Sequence, residues 1–225
     1  MLNALSHQRG DREEAGTAPS RSLTLARLRQ SPLFAHAYPA ITGKRKRCQR
    51  LALPAILGWH RITTVKPRVY IETSVPSFYH ELRPEPEMVA RRAWTREWWD
   101  GHRSDYALVT SVAVIEELEA GAHAKKAECL ALVQDLPLLP VHDAIGAIVD
   151  TYIEHHVMPS DPRGDALHLA PASYHHCQFL LTWNCAHLAN ANKQEHIRHI
   201  NVLQGLHVPV LTTPLELIYP EEVES

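Results

Sequence analysis

Cysteine is scarce, with four copies in 225 residues (Cys48, Cys129, Cys177 and Cys185), and no two of them form a CxxC pair. That excludes a disulfide scaffold and a four-cysteine zinc site, and it suits a reducing cytoplasm. Long apolar runs are missing as well: no stretch reaches the length of a membrane span, and residues 1–20 lack the apolar centre of a signal peptide. A cytoplasmic protein with no membrane partner is therefore expected. No glycine-rich phosphate loop is present, which lowers the standing of a small-molecule enzyme using Mg²⁺ for phosphate chemistry. Internal repeats are absent too.

What is present is enough for one sizeable domain plus an extension, with 45% apolar residues to supply a core. The net charge of −2 hides two chemically different parts. Residues 1–68 hold 13 Lys/Arg against 3 Asp/Glu, whereas residues 69–225 hold 10 against 22. Residues 1–65 show no sustained period of 2 or 3.6. They carry a short helix-prone stretch, LTLARLRQ, and a basic knot, KRKRCQR at 44–50, of a kind that can bind nucleic acid. They read as a basic, poorly ordered extension. Recognisable structure begins abruptly at Lys66, directly after Val65, so a start site assigned too far upstream is the expectation for residues 1–64.

From residue 66 to about 220 the pattern alternates. The strand RVYIE (68–72) runs into a proline-containing turn, and a helix is predicted over 87–100. The strand ALVTS (107–111) precedes a helix that stops at Gly121, and a second helix covers 123–136. A short strand is expected near LLPV (138–141), then a helix over 143–156 with Asp143 as N-cap. After the loop VMPSDPRG come a helix over 165–176, the strand QFLLTW (178–183), a helix over 193–205, a last short strand at Pro209 and a helical turn opened by Pro214. Strands separated by helices imply parallel pairing, because parallel neighbours need a crossover connection.

Polar residues then fall where open α/β sheets place their sites, at the carboxyl ends of strands. Glu72 ends the first strand, Glu116 and Glu117 lie on the helix after the second, and Asn184 directly follows QFLLTW. Asp165 opens the helix leading into that last strand. Singly, each has an ordinary structural explanation: a helix-start acid, a solvated helix face, a turn residue. Together they are oxygen ligands that would repel one another unless a cation sat between them, and hard oxygen ligands suit Mg²⁺ or Mn²⁺.

The segments VYIETSVPSFY, TSVAVIEELEAG, GDALHLA and FLLTWNCAHLAN resemble, in that order, the four signature segments of PIN-domain proteins, over roughly residues 67–218. The similarity is greatest to bacterial toxin ribonucleases of the VapC type. The resemblance implies a Rossmann-like α/β/α sandwich with a short, mostly parallel sheet, and an RNA-cutting site dependent on Mg²⁺ or Mn²⁺. Carried across, the family's acids fall on Glu72, Glu117 (Glu116 if the register shifts by one) and Asp165, with Asn184 at a position that is usually Asp. Thr73 or Ser74 would supply a hydroxyl near the metal, and His168 and His187 would support the site. The ions would acidify a water for direct attack and neutralise the scissile phosphate. Glu in place of Asp at 72, and Asn in place of Asp at 184, predict a weaker enzyme or one that prefers Mn²⁺. The implied partners are RNA, a second copy of the chain and a cognate antitoxin; the other reading of the same residues is a weakly active or inactive module that binds nucleic acid or a protein.

Arg83, Arg91, Arg92, Arg96 and Arg103 cluster around the 87–100 helix and could hold a phosphate backbone. Trp94 and Trp98 share a face of that helix, for packing or for stacking on unpaired bases. The 16 histidines include His155-His156, His175-His176 and the pair His196 and His199, which invite a zinc site, but no conventional ligand spacing is met with the cysteines and zinc is not the expected metal.

Overall fold

The computed structural model of the chain describes residues 65–158 and 164–218. The basic extension, its KRKRCQR knot, the question of the start site and most of the 157–164 loop lie outside the described residues. The described part is an α/β fold built on a four-stranded sheet. Strands β1 (Arg68–Ile71), β2 (Ala107–Val109), β3 (Phe179–Leu181) and β4 (Val210–Thr212) lie in the order β2-β1-β3-β4, and every pairing is parallel. Val69, Tyr70 and Ile71 of β1 are fully buried. A central parallel strand is covered on both faces and so reads as a continuous apolar run. The chain leaves β1 toward β2, then returns to the other flank of β1 with β3. The strand order therefore reverses between β1 and β3, which is where open α/β sheets form a crevice beyond their carboxyl ends.

Among the described residues seven α-helices surround this sheet: α1 (Ser74–Tyr79), α2 (Pro86–Glu97), α3 (Val112–Ala120), α4 (Lys126–Val133), α5 (Asp143–Glu154), α6 (Ala166–Tyr174) and α7 (Ala191–Leu203). Helix α6 is buried from Ala166 to Ser173, so its one inward histidine is carried into the core with the rest. The largest fully buried side chains are Trp98 and Trp99, on a single π-helical turn (Trp98–His102) that continues α2. No helix among the described residues is long and apolar enough to cross a membrane.

Several local expectations are corrected. The proline-containing turn after β1 is helix α1, with Pro76 in its first turn, where the missing N–H has no intrahelical acceptor to lose. LLPV forms no strand: Thr110 and Leu138 make an isolated bridge, and Pro137 and Pro140 confine the pairing to that point. Asp143 is the first residue of α5, and His142 holds the cap position without a side-chain cap bond. The helix expected over 123–136 shortens to α4. Trp98 is unavailable for base stacking because it is buried against Trp99 and Tyr106.

Candidate metal centre

Glu72 stands immediately beyond β1, with its own N–H still donating to Leu181 O of β3 at 3.2 Å. Its side chain is 6% exposed and is held by three donors on one oxygen. Ser74 N–H donates to Oε2 at 3.0 Å, Thr182 Oγ1 donates to it at 2.8 Å, and the Ser74 hydroxyl donates to it as well. The Thr182 bond spans the β1–β3 crevice. Among the described residues all side-chain hydrogen bonds of Glu72 fall on Oε2, which leaves Oε1 available to a ligand. Thr73 turns the other way, and its Oγ1 donates to Glu117 Oε2 at 2.6 Å.

Glu117 reaches this point from α3, and His168 from the first turn of α6; His168 Nε2 lies 3.0 Å from Glu117 Oε2. The imidazole is 3% exposed and the Glu117 side chain 51%, so the pair runs from the core to the cleft. Behind it, His168 Nδ1 lies 3.1 Å from the Tyr70 hydroxyl, which lies 2.7 Å from Ser111 Oγ. Tyr70 and Glu72 are two residues apart along the strand direction and share a face of the sheet. Burial acts to raise the Glu117 pKa, but the hydrogen bond and charge of His168, with the Thr73 hydroxyl, outweigh it and hold the carboxyl below its ordinary value. Burial acts to lower the His168 pKa, and the bond to Glu117 with the fields of Glu72, Glu117 and Asp165 overcomes that and raises it.

Asp165 and Asn184 form a second pair. Asn184 Nδ2 donates to Asp165 Oδ1 at 2.6 Å, and Asn184 Oδ1 accepts the His187 N–H at 3.2 Å. Asp165 holds the cap position of α6 but makes no side-chain cap bond, because its carboxylate turns to Asn184. Its pKa is raised, mainly by burial, against the opposing pull of His187, His168 and the Asn184 amide. His187 lies 3.4 Å from Lys193 Nζ through its Nδ1.

An open cleft of about 320 Å³ lies at this edge, and its lining includes Glu72, Glu117, Asn184, Phe78, Arg83 and Trp183. Its aromatic wall is built around Arg91, whose guanidinium sits 5.4 Å from the Phe78 ring centre and 5.2 Å from that of Trp183. Trp94 stacks on Trp183 at 6.1 Å, and Trp183 Nε1 donates to Thr95 at 2.8 Å. The expected arginine cluster is thus largely tied down: Arg92 donates to Glu81 O, Arg96 to Tyr79 O, and Arg103 lies over Trp99.

Glu72, Glu117 and His168 offer ligand atoms that all lie within 4.8 Å of one another, the one such grouping of three or more among the described residues. Glu116, the alternative register, is outside it, as are Asp165 and His187. The donor set fits a divalent cation. Two carboxylates this close repel unless positive charge lies between them, and two oxygens with one imidazole favour Mn²⁺ over Mg²⁺. The histidine pairs form no zinc cluster among the described residues. His156 and His176 instead sit at φ 54° just past α5 and α6, and His175 Nε2 meets Pro140 O at 2.6 Å. Tyr70, Ser111 and Thr182 are the site residues that sequence reading missed. The available signal was parity: Tyr70 had to share the face of Glu72. Comparison with family models, with characterised proteins and with solved structures gave no match to this chain.

Proposed function

We propose that the chain is a metal-dependent endoribonuclease of the PIN type, with a PIN-like α/β/α architecture, that hydrolyses RNA phosphodiester bonds. The observation that carries this reading is the convergence of Glu72, Glu117 and His168, from three distant segments, at the carboxyl edge of a parallel sheet and beside an open cleft. Glu72 and Glu117 would hold the ion, Mg²⁺ or Mn²⁺. A divalent cation there supplies Lewis acidity toward water and charge neutralisation for the phosphodiester. The chain's own groups do the rest. Thr182 and Ser74 fix the Glu72 carboxylate, Thr73 and His168 fix Glu117, and Asp165, oriented by Asn184, would accept the proton of the attacking water. Arg83 at the cleft, with Arg91 against the Phe78 and Trp183 rings of its wall, would meet the phosphate backbone, and Phe78 would pack on an unpaired base. A toxin role, a cognate antitoxin and a homodimer belong to the same reading and rest on the resemblance.

One observation favours the second reading, a module that binds nucleic acid or protein with little cleavage. The Asn184 amide already occupies Asp165 Oδ1, an oxygen that a cation would otherwise take. RNA cleavage by the full chain with Mn²⁺ or Mg²⁺, beside Glu72→Gln and Asp165→Asn, tests both. Cleavage is expected to fall by about 10–100-fold or more in each variant. Unchanged cleavage in both removes the site; bound Mn²⁺ with no cleavage of any RNA selects the module.

A further inference from the structure

We propose that the amino edge of the sheet is a second nucleic-acid surface, where Lys66, Arg68 and Arg103 hold the phosphates of a single strand and the rings of His142 and His176 stack on its unpaired bases. Taking that strand to be RNA rests on the reading above, whereas the surface itself needs no metal.

The parallel sheet separates this surface from the cleft. Glu72 and Asn184 follow β1 and β3 at the carboxyl edge, whereas Lys66, Arg103 and His176 precede β1, β2 and β3. Along the four residues of β1 the two edges stand about 13 Å apart, at about 3.3 Å per residue. On the flank of β2, Lys66 Nζ donates to Ser104 O, and Ala107 N–H donates to Pro67 O at 2.9 Å. That puts Lys66 beside the Arg103–Asp105 turn, where Arg103 is exposed although its guanidinium lies 5.3 Å from the Trp99 ring centre. Toward β3, Arg68 Nη1 donates to His175 O at 2.8 Å, and Arg68 N–H donates to Gln178 Oε1 at 2.7 Å. Val210 N–H donates to Gln178 O at 2.9 Å, so one residue ties the starts of β1, β3 and β4. The cations are therefore set on a braced edge, and Arg68 keeps its remaining N–H groups for a ligand.

The rings complete the surface. His142, exposed ahead of α5, lies 5.4 Å from the Tyr174 ring centre and 5.7 Å from that of His175. His176, exposed after α6, lies 5.7 Å from the His207 ring. Each exposed imidazole is thus backed by partly buried rings, as a platform on which a base can stack. His176 shows its ring from φ 54°, a conformation that glycine adopts at less cost, and strain of this kind gathers where a side chain is used. The field at this edge acts on His175. Its Nε2 meets Pro140 O at 2.6 Å, which acts to raise its pKa, yet burial with the positive fields of His142, Arg68 and His176 holds it below the ordinary value. Asp105 and Asp143, close in the chain to Arg103 and His142, offset part of that charge. The chain also enters the sheet here, so the 13 Lys/Arg of residues 1–68 lead directly into the surface. Cations interleaved with open rings fit an unpaired strand better than a duplex, whose bases are closed to the rings, or an acidic peptide, which has no bases.

The test uses the full chain, a non-cleavable single-stranded RNA and EDTA, so that no metal bridges the strand to the cleft. The imidazole Cε1–H resonances of His142 and His176, assigned through His142→Gln and His176→Asn, are expected to move as RNA is added. Asparagine suits the left-handed position 176, so that variant keeps the helix end. Lys66→Gln combined with Arg103→Gln should make the slope of log K against log salt shallower by about 1.4, two contacts at about 0.7 each, and weaken binding about 10-fold at about 0.1 M salt. In RNA cleavage with Mn²⁺ the same double variant should raise KM and leave kcat unchanged. Bound RNA that leaves both resonances in place, or a double variant with the wild-type slope, overturns the surface, as does a wild type that binds no RNA in EDTA. The expected shifts with no cleavage of any RNA in Mn²⁺ or Mg²⁺ remove the nuclease reading and leave the surface standing. Cleavage by a wild type that shows no shifts does the reverse.

Discussion

Glu81 carries the clearest electrostatic signature of a single residue outside the candidate metal centre. It is 7% exposed, and its Oε2 accepts from Arg83 Nη2 at 2.6 Å. Its Oε1 takes the N–H groups of Leu82 and Arg83 at 2.9 and 3.0 Å. The Arg83 bond, aided by those backbone donors, holds its pKa down at about 2, from an ordinary 4.5. A depressed carboxyl stabilises the fold above the unfolded value and loses that contribution as pH falls toward the folded value. The window is therefore about pH 4.5 down to about 2. Arg83 is 59% exposed, so solvent screening limits the contribution to about 1 kcal/mol. Glu81→Gln should lower the urea midpoint at pH 7 and leave it closer to the wild type at pH 3; an equal deficit at both pH values would show that the ion pair is not the cause. At this scale, what the sequence showed was charge at strand ends. Glu72 and Asn184 stand out as polar groups directly after buried strands, whereas Glu117 in EELE and Asp165 at a helix start are singly ordinary and draw notice only in combination with them. Tyr70 and Ser111 do not stand out, because in an apolar run a tyrosine reads as core, and only the tertiary packing of α6 on β1 supplies its partner.

Among the elements, α5 and α6 end in the same way, and this accounts for the paired histidines. After α5, Val157 N–H donates to Tyr152 O at 2.8 Å and His156 N–H to Ile153 O at 3.0 Å. After α6, Cys177 N–H donates to Ala172 O at 2.9 Å and His176 N–H to Ser173 O at 3.3 Å. Both are Schellman ends, in which the left-handed residue is normally glycine and the next is apolar and buried. Val157 and Cys177 are buried as that motif requires. A histidine at φ 54° bears a Cβ penalty that glycine does not. His156→Gly should therefore stabilise the fold by roughly 0.5–1 kcal/mol, after the added entropy of the unfolded chain is deducted. Thermal unfolding measures it, and a lower Tm would mean that the imidazole makes a contact worth more than the strain. Helix periodicity and Gly121 made α3 and α5 readable from sequence, whereas these two stops were not, because nothing local marks a histidine as left-handed. Helix α1 was hidden by Pro76, which as a first-turn residue permits the helix it was expected to break. The bridge at Leu138 was overread as a strand because apolar content alone cannot show that the flanking prolines lack N–H groups for a ladder.

On the scale of the whole molecule, the proposed function asks an acidic body to hold an acidic polymer. Residues 69–225 carry 22 Asp/Glu against 10 Lys/Arg, so binding of RNA to this part depends on a few placed cations and on the metal. Arg83 of the cleft wall, and Arg91 packed against its Phe78 and Trp183 rings, are themselves partly neutralised: Arg83 pairs with Glu81 at 2.6 Å, and Arg91 pairs with Glu87. Each phosphate neutralised on a single strand contributes about −0.7 to the slope of log K against log salt. Two or three such contacts predict a slope of about −2, measured with a non-cleavable RNA between about 50 and about 200 mM salt. Residues 1–68 contain 13 Lys/Arg, and their engagement would add several phosphates at once and steepen the slope beyond about −5. The same titration with Arg91→Ala should reduce the slope by less than about 1, because the Glu87 partner already offsets part of that charge. A steep slope that Arg91→Ala leaves untouched would move the principal RNA contact from the cleft to the basic segment. It would also make the cleft a place where a strand is cut after being captured elsewhere on the chain.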